Sequence, residues 1–110
     1  MKSLNQFLQE KLVDNSNYNY HPKTKEELQE IIEQRILEEG TNVDLNDIDV
    51  SNINDMSYLF KYLNFNGTIY KWDVSNVTNM MCMFEWCEKF NKDISGWDVS
   101  NVTNMSWMFF

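Results

Sequence analysis

The sequence predicts an α+β fold: a short leucine-rich-repeat-like solenoid of strand-turn-helix units, 24–25 residues each, behind an N-terminal helical cap. Three observations carry this expectation. A motif returns at a fixed period, an amphipathic segment with helix start and stop signals precedes it, and large apolar residues alternate inside each repeat. A fixed period outranks any local motif, because it sets what each segment must pack against.

The repeat reads Asp49-Val50-Ser51-Asn52-Ile53-Asn54-Asp55-Met56, then Asp73-Val74-Ser75-Asn76-Val77-Thr78-Asn79-Met80, then Asp98-Val99-Ser100-Asn101-Val102-Thr103-Asn104-Met105. Ile48 and Val50, Trp72 and Val74, and Trp97 and Val99 stand two apart, so each pair faces one way from a short strand. Val77, Met80, Met83 and Phe84 follow at helical spacing, as do Val102, Met105, Met108 and Phe109, which predicts a turn of helix. Phe65-Asn66 and Phe90-Asn91 mark return loops. A lone unit has no opposing surface, so its apolar side is buried only by its neighbours.

Ahead of the repeats, Thr24 and Glu27 form a capping-box pattern, Leu28, Ile31, Ile32 and Ile36 share one face, and Gly40 supplies a stop. The helix is expected from Lys25 to Glu39, with Glu26, Glu30, Glu33 and Arg35 on a solvated outer face. Leu4, Phe7, Leu8 and Leu12 predict a shorter docking helix, joined by a linker at about 14–23 in which His21 is solvated. The chain thus divides into an N-terminal helical cap, 1–42, and a repeat array, 43–110, whose last unit is incomplete. The cap is expected to cover the first open end of the array.

One domain accounts for all 110 residues, and 43% hydrophobic with 15% aromatic content excludes a disordered chain. A net charge of −8 with no basic stripe repels polyanions, so no direct nucleic-acid binding is expected. The first residues lack the apolar run of a secretory signal, and no stretch reaches transmembrane length, so the expected location is cytoplasmic, with no membrane partner.

Cys82, Cys87 and the single His21 do not make a structural zinc set, which needs about four ligands, so the thiols are expected free. Asp49, Asp73 and Asp98 stack in a column that could hold a cation, but each is better read as accepting a backbone N–H of the turn after it. Asn76 with Asn101, and Asn79 with Asn104, are expected to satisfy backbone groups at corners. Without a Ser/His/Asp set or a glycine-rich loop, the chain is expected to be no enzyme, with no catalytic residue, cofactor or metal.

Asp-Val-Ser-Asn-Val-Thr-Asn-Met followed by Met-Phe and Phe-Asn closely resembles the BspA-like repeat, a divergent leucine-rich-repeat family of bacterial surface proteins, mycoplasma lipoproteins and bacteriophage proteins. The likeness covers about Leu45 to Phe110. The helix from Lys25 with Asp44-Leu45-Asn46-Asp47-Ile48-Asp49 also looks like the leader of small gut-bacterial and phage members. The resemblance implies a right-handed solenoid with a short parallel sheet and a role in adhesion or other protein binding. It carries over no catalytic residue. It also suggests a small phage or mobile-element protein of the bacterial host cytosol that binds a target such as a CRISPR-type defence effector as an inhibitor, an anti-CRISPR; the alternative is a structural, virion-associated or surface adhesion-type repeat protein. Where many family repeats read Phe-Asn-x-Asp-Ile-Ser, this chain has Phe65-Asn66-Gly67-Thr68-Ile69-Tyr70, which makes Tyr70 an unusual side chain.

Large apolar residues that the repeat does not require are the candidate protein-binding anchors. Tyr58, Cys82 and Trp107 form one column, Tyr62 and Trp86 a second, both turned away from the core methionines. Val99, Val102, Met105, Met108, Phe109 and Phe110 lie on the stacking face of the last unit, which is expected to pair with a copy of the chain, as a homodimer, or with the target. The candidate set is therefore Tyr58, Tyr62, Tyr70, Trp86, Trp107, Met108, Phe109 and Phe110.

Folding on this reading requires neither metal nor disulfide. Chelator and reductant are expected to leave the melting temperature unchanged, and a fall of many degrees with either contradicts it.

Overall fold

The computed structural model describes residues 18–109. Among them a single helix, α1, spans Lys25–Glu39, the range its start and stop signals define. Thr24 is extended, and its Oγ1 accepts the Glu27 N–H at 3.1 Å. The Glu27 carboxylate in turn accepts the Lys23 N–H at 3.0 Å, so the box closes on the residue before the cap. Gly40 ends the helix at φ 92° and ψ 173°, a region essentially closed to residues with a Cβ, rather than in the compact left-handed cap. The shorter helix expected around Leu4–Leu12 lies outside the described residues.

Leu28 and Ile32 of α1 are fully buried in the core. Arg35 is buried as well, which corrects its expected place on the solvated face. Its guanidinium meets Asp47 at 2.9 and 3.1 Å, pairs with Glu39, and donates to the Asp44 carbonyl at 3.1 Å. Burial disfavours the charge, but the bonds to Asp47 and Glu39 outweigh it and raise the Arg35 pKa. The side chain thereby clamps α1 to the loop that leads into the first repeat. The described part of the expected linker is pinned too: Asn19 N–H donates to Asp47 O, Asp49 N–H donates to Tyr20 O, both at 2.8 Å, and Tyr20 forms a parallel bridge with Ile48.

The units stack in register, but not as strands and helices. Asp44 and Thr68, Asp55 and Asn79, and Asn79 and Asn104 form isolated parallel bridges, and no sheet is built among the described residues. The segments expected to be helical are ribbons of consecutive turns. Leu59 N–H reaches Met56 O, Lys61 N–H reaches Tyr58 O, and Leu63 N–H reaches Phe60 O, each closing over three residues. The second unit repeats this with Met83 to Met80, Glu85 to Cys82 and Cys87 to Phe84.

The other N–H groups of each ribbon point along the stack. Met56, Tyr58, Phe60 and Tyr62 donate to the carbonyls of Asn79, Met81, Met83 and Glu85, and Met80, Cys82 and Phe84 donate to Asn104, Ser106 and Met108, all at 2.8–3.0 Å. A helix would need those N–H groups for its own carbonyls four residues back, so lateral bonding and helix exclude one another. Both arrangements bury residues three and four apart, which is why the spacing alone suggested a helix. Apart from α1, the described chain is a compact body of turns with little regular secondary structure.

Side chains keep the turns in place. Asp49, Asp73 and Asp98 each accept the N–H of the serine two residues on at 3.0 Å, so the aspartate column caps turns. Asp55, Asn79 and Asn104 do the same for Ser57, Met81 and Ser106 at 2.9–3.0 Å. Between units, the Asn76 and Asn101 amides donate to the Ser51 and Ser75 carbonyls at 2.9 and 2.7 Å, and the Trp72 and Trp97 indoles to Leu45 and Ile69 at 2.8 and 3.1 Å. A ring stack runs through the core and out of it: Phe60, Phe84 and the exposed Phe109 are 5.3 and 5.2 Å apart and nearly parallel. Each such pair contributes about 0.5–1.5 kcal/mol beyond its burial.

The turn caps give the fold an acid limb. Desolvation pushes Asp49 and Asp55 up, but the bonds from Ser51 and Ser57 outweigh it; bonds from Asn46 dominate at Asp44, and bonds from Ser95 and Ser100 at Asp93 and Asp98, so all five lie below the ordinary aspartate range. A carboxylate depressed on folding contributes stability that is present above its unfolded pKa, about 3.9, and lost as pH falls through the folded value. The urea midpoint is expected to hold from about pH 7 to 5 and to drop below about pH 4. A midpoint that rises on acidification over that lower range contradicts the assignment.

Candidate functional site

The turn chemistry builds a row of large side chains on the outside of the ribbons. In each turn closed over three residues at Met56, Phe60, Met80, Phe84 and Met105, the third residue has positive φ: Tyr58 63°, Tyr62 65°, Cys82 57°, Trp86 59° and Trp107 56°. That is the geometry of a type II turn, whose third position ordinarily takes Gly or Asn. A bulky residue there costs on the order of 1–2 kcal/mol. The four aromatic side chains project outward, with exposures from 40% for Tyr58 to 69% for Tyr62, while the smaller Cys82 is buried between its column neighbours.

The aromatic side chains are held in place. Tyr62 and Trp86 stack at 6.5 Å and 9°. The Lys61 ammonium sits 5.1 Å from the ring centres of both Tyr58 and Tyr62 and bonds Glu85 at 2.9 Å, which lifts the Lys61 pKa. The ridge is therefore aromatic, ordered by a cation, and locally near charge balance.

Of the sequence-predicted anchors, Tyr58, Tyr62, Trp86 and Trp107 come together on this ridge. Tyr70 is exposed on the return side beside Lys71, away from it. Met108 is buried, and this corrects its place among the exposed anchors: it occupies the position of Leu59 and Met83, both core, and its carbonyl accepts the Phe84 N–H. Phe109 is exposed on the stacking face of the third unit, and Phe110 lies outside the described residues. Cys82 and Cys87 are free and buried; burial raises the Cys87 thiol, whose Sγ contacts the Phe65 carbonyl at 3.4 Å.

Two surface features escaped the sequence reading. Leu37 of α1 is 82% exposed, outside the i, i+3, i+4 pattern that marked the helix. An open cavity of about 270 Å³ is lined by Thr41, Asn42, Asn64, Asn66 and Lys89. Asn66 there already donates to Thr41 O and accepts from Asn91, so its polar groups serve stacking. Return-loop asparagines were the available signal. His21 is exposed, with Nδ1 3.2 Å from Asp49. Among the described residues no three His, Cys, Asp or Glu side chains cluster as metal ligands, and no helix is long and apolar enough to cross a membrane.

Residues 26–110 match the model of the family described as Mycoplasma protein of unknown function, DUF285, and the chain belongs to that family. No curated protein and no solved structure matches it.

If the ridge serves binding rather than folding, glycine is the informative replacement, because it relaxes the positive φ. Tyr62→Gly and Trp86→Gly are expected to change stability by no more than about 1 kcal/mol, strain relief offsetting the lost stacking and the added unfolded-chain entropy. Thermal or urea melts check this; a loss of about 3 kcal/mol or more, typical of core truncation, assigns them to the core.

Proposed function

We propose that this chain is a non-enzymatic protein-binding module, a short solenoid of the BspA-like type whose aromatic ridge engages a protein partner. The carrying observation is that Tyr58, Tyr62, Trp86 and Trp107 stand exposed at positive-φ positions where Gly or Asn is the relaxed choice. Exposed aromatics give large contact area for few rotatable bonds, and residues of this kind dominate binding energy at interfaces. The net charge of −8 turns the module toward a basic protein surface and away from nucleic acid.

The partner class we propose is a bacterial defence effector of CRISPR type, inhibited by occupation of a basic face. Its support is the resemblance to small phage members together with the acidity of the chain, and that step rests on analogy of family. Immobilised chain is to be exposed to lysate containing such nucleases, beside a Tyr62→Gly/Trp86→Gly control that melts normally. Retention of a nuclease by the chain, its loss in the control and inhibition of DNA cleavage are expected. Equal retention by both removes the ridge from the interface. Recovery of only capsid or tail proteins from infected cells replaces the inhibitor with a virion-associated role.

A further inference from the structure

Three loops meet where the segment after α1 joins the stack. Asn66 N–H of the first return loop donates to Thr41 O at 2.8 Å, and Thr68 N–H donates to Val43 O at 3.2 Å. Asn91 N–H of the second return loop donates to Asn66 Oδ1 at 2.9 Å. The open cavity of about 270 Å³ lies at this junction, lined by Thr41, Asn42, Asn64, Asn66 and Lys89. Asn64 and Lys89 hold equivalent positions in successive units, directly before Phe65 and Phe90, which stack 5.9 Å apart. Backbone bonds and ring stacking thus fix the walls, and the polar side chains of the lining stand on a rigid frame.

Those side chains are largely uncommitted. Elsewhere the fold uses its asparagines: Asn46, Asn79 and Asn104 accept backbone N–H groups, and the Asn76 and Asn101 amides donate to carbonyls. In the cavity, the side chains of Thr41, Asn42, Asn64 and Lys89 have no hydrogen-bond or ion-pair partner among the described residues, and Asn66 keeps its Nδ2. Small-molecule sites are ordinarily apolar with a few polar groups. Here every lining side chain is polar, so a fitting ligand must itself be polar over most of its surface.

The kind of polarity narrows the ligand further. Asn42, Asn64 and Thr41 each offer a donor and an acceptor together. A carboxylate or phosphate only accepts and would face the amide oxygens without a bond. The C-terminal end of α1, with Glu38 and Glu39, directly precedes Thr41 and carries negative charge, against which Lys89 sets a single positive one. Alcohol hydroxyls donate and accept as the lining does. The volume lies just under the roughly 300–1,000 Å³ of sites for drug-sized ligands, which suits a single sugar ring.

We infer that this cavity binds a neutral saccharide and seats one ring of it. The sugar hydroxyls pair with Thr41, Asn42 and Asn64, while Lys89 and Asn66 Nδ2 donate to its oxygens, replacing water bond for bond. The site lies apart from the ridge of Tyr58, Tyr62 and Trp86, and stands or falls separately from it.

The test titrates the full ¹⁵N-labelled chain with glucose, galactose, mannose and N-acetylglucosamine, beside glucuronate and inorganic phosphate. Saturable binding of at least one neutral sugar is expected, with a Kd on the order of a millimolar for a ligand of about a dozen non-hydrogen atoms. The side-chain amide signals of Asn42, Asn64 and Asn66 are expected to shift with it. Asn64→Ala and Lys89→Ala are each expected to weaken binding about fivefold, the loss of one hydrogen bond, with the melting temperature unchanged. Should either variant unfold, the shift map of the unsubstituted chain decides alone. No saturable shift with any neutral sugar, or shifts that leave these three amides unmoved, overturns the inference. So does unchanged affinity in both variants, and so does tighter binding of glucuronate or phosphate than of every neutral sugar, which makes the cavity an anion site.

Discussion

The first two ribbons of this fold send every second backbone N–H along the stack, and those donors find their acceptors in the neighbouring unit. A buried backbone group left unpaired costs about 1–3 kcal/mol, so the first two units each depend on the one that follows. This ladder sets the register, because a slip by one residue would aim donors at donors and turn the methionines and phenylalanines outward. It also decides the local conformation. With alternate N–H groups committed sideways, the chain in the first two ribbons advances through tight turns, which place a positive φ at Tyr58, Tyr62, Cys82 and Trp86; Trp107 repeats it in the third, whose carbonyls accept from the second.

Closing the first end of such a ladder needs something that does not extend it. A helix meets that need, since its own N–H groups are spent internally and it covers an edge without templating another strand. Here α1 brings Leu28 and Ile32 to the core, and Arg35 ties it to Asp47 and the Asp44 carbonyl. The loop after α1 then pairs with the first return segment so closely that a Cβ on Gly67 would stand 1.9 Å from the Val43 carbonyl oxygen. Glycine at that position is a packing requirement. It explains why the first return loop departs from its counterpart in the second unit, where Lys92 stands.

Much of this was legible in the sequence. The period fixed which residues stack, the capping pattern fixed α1 to its ends, and the Asp and Asn columns took the turn and corner roles assigned to them. What periodicity could not distinguish was a turn of helix from a ribbon of turns, because both bury residues three and four apart and differ only in where N–H groups point. Arg35 was misplaced for a related reason: helical spacing locates a side chain on a face, but its burial depends on Asp47, twelve residues away on a loop. The columns at Tyr58 and Tyr62 were visible as departures from the apolar pattern. Their backbone strain was not, since nothing in an aromatic residue announces a positive φ. Met108, grouped in the sequence with the exposed end of the third unit, is buried because it holds the position of Leu59 and Met83.

Strain and exposure together separate the ridge from the rest of the apolar residues. A core aromatic offsets its conformational cost through burial, worth about 1.5–3 kcal/mol for a full side chain. Tyr62 is two-thirds exposed and Trp86 nearly half exposed, so they recover only part of that. Their mutual stacking returns about 0.5–1.5 kcal/mol to the pair, against roughly 1–2 kcal/mol of backbone cost at each. On these magnitudes the Tyr62 and Trp86 stack does not by itself offset the backbone cost at both turns. Cys82 supports the distinction from the other side, being the one member of the set that is small and buried. Exposure combined with positive φ is what sets the ridge apart from the cavity near Lys89 and from the exposed Leu37, neither of which shows backbone strain of that kind.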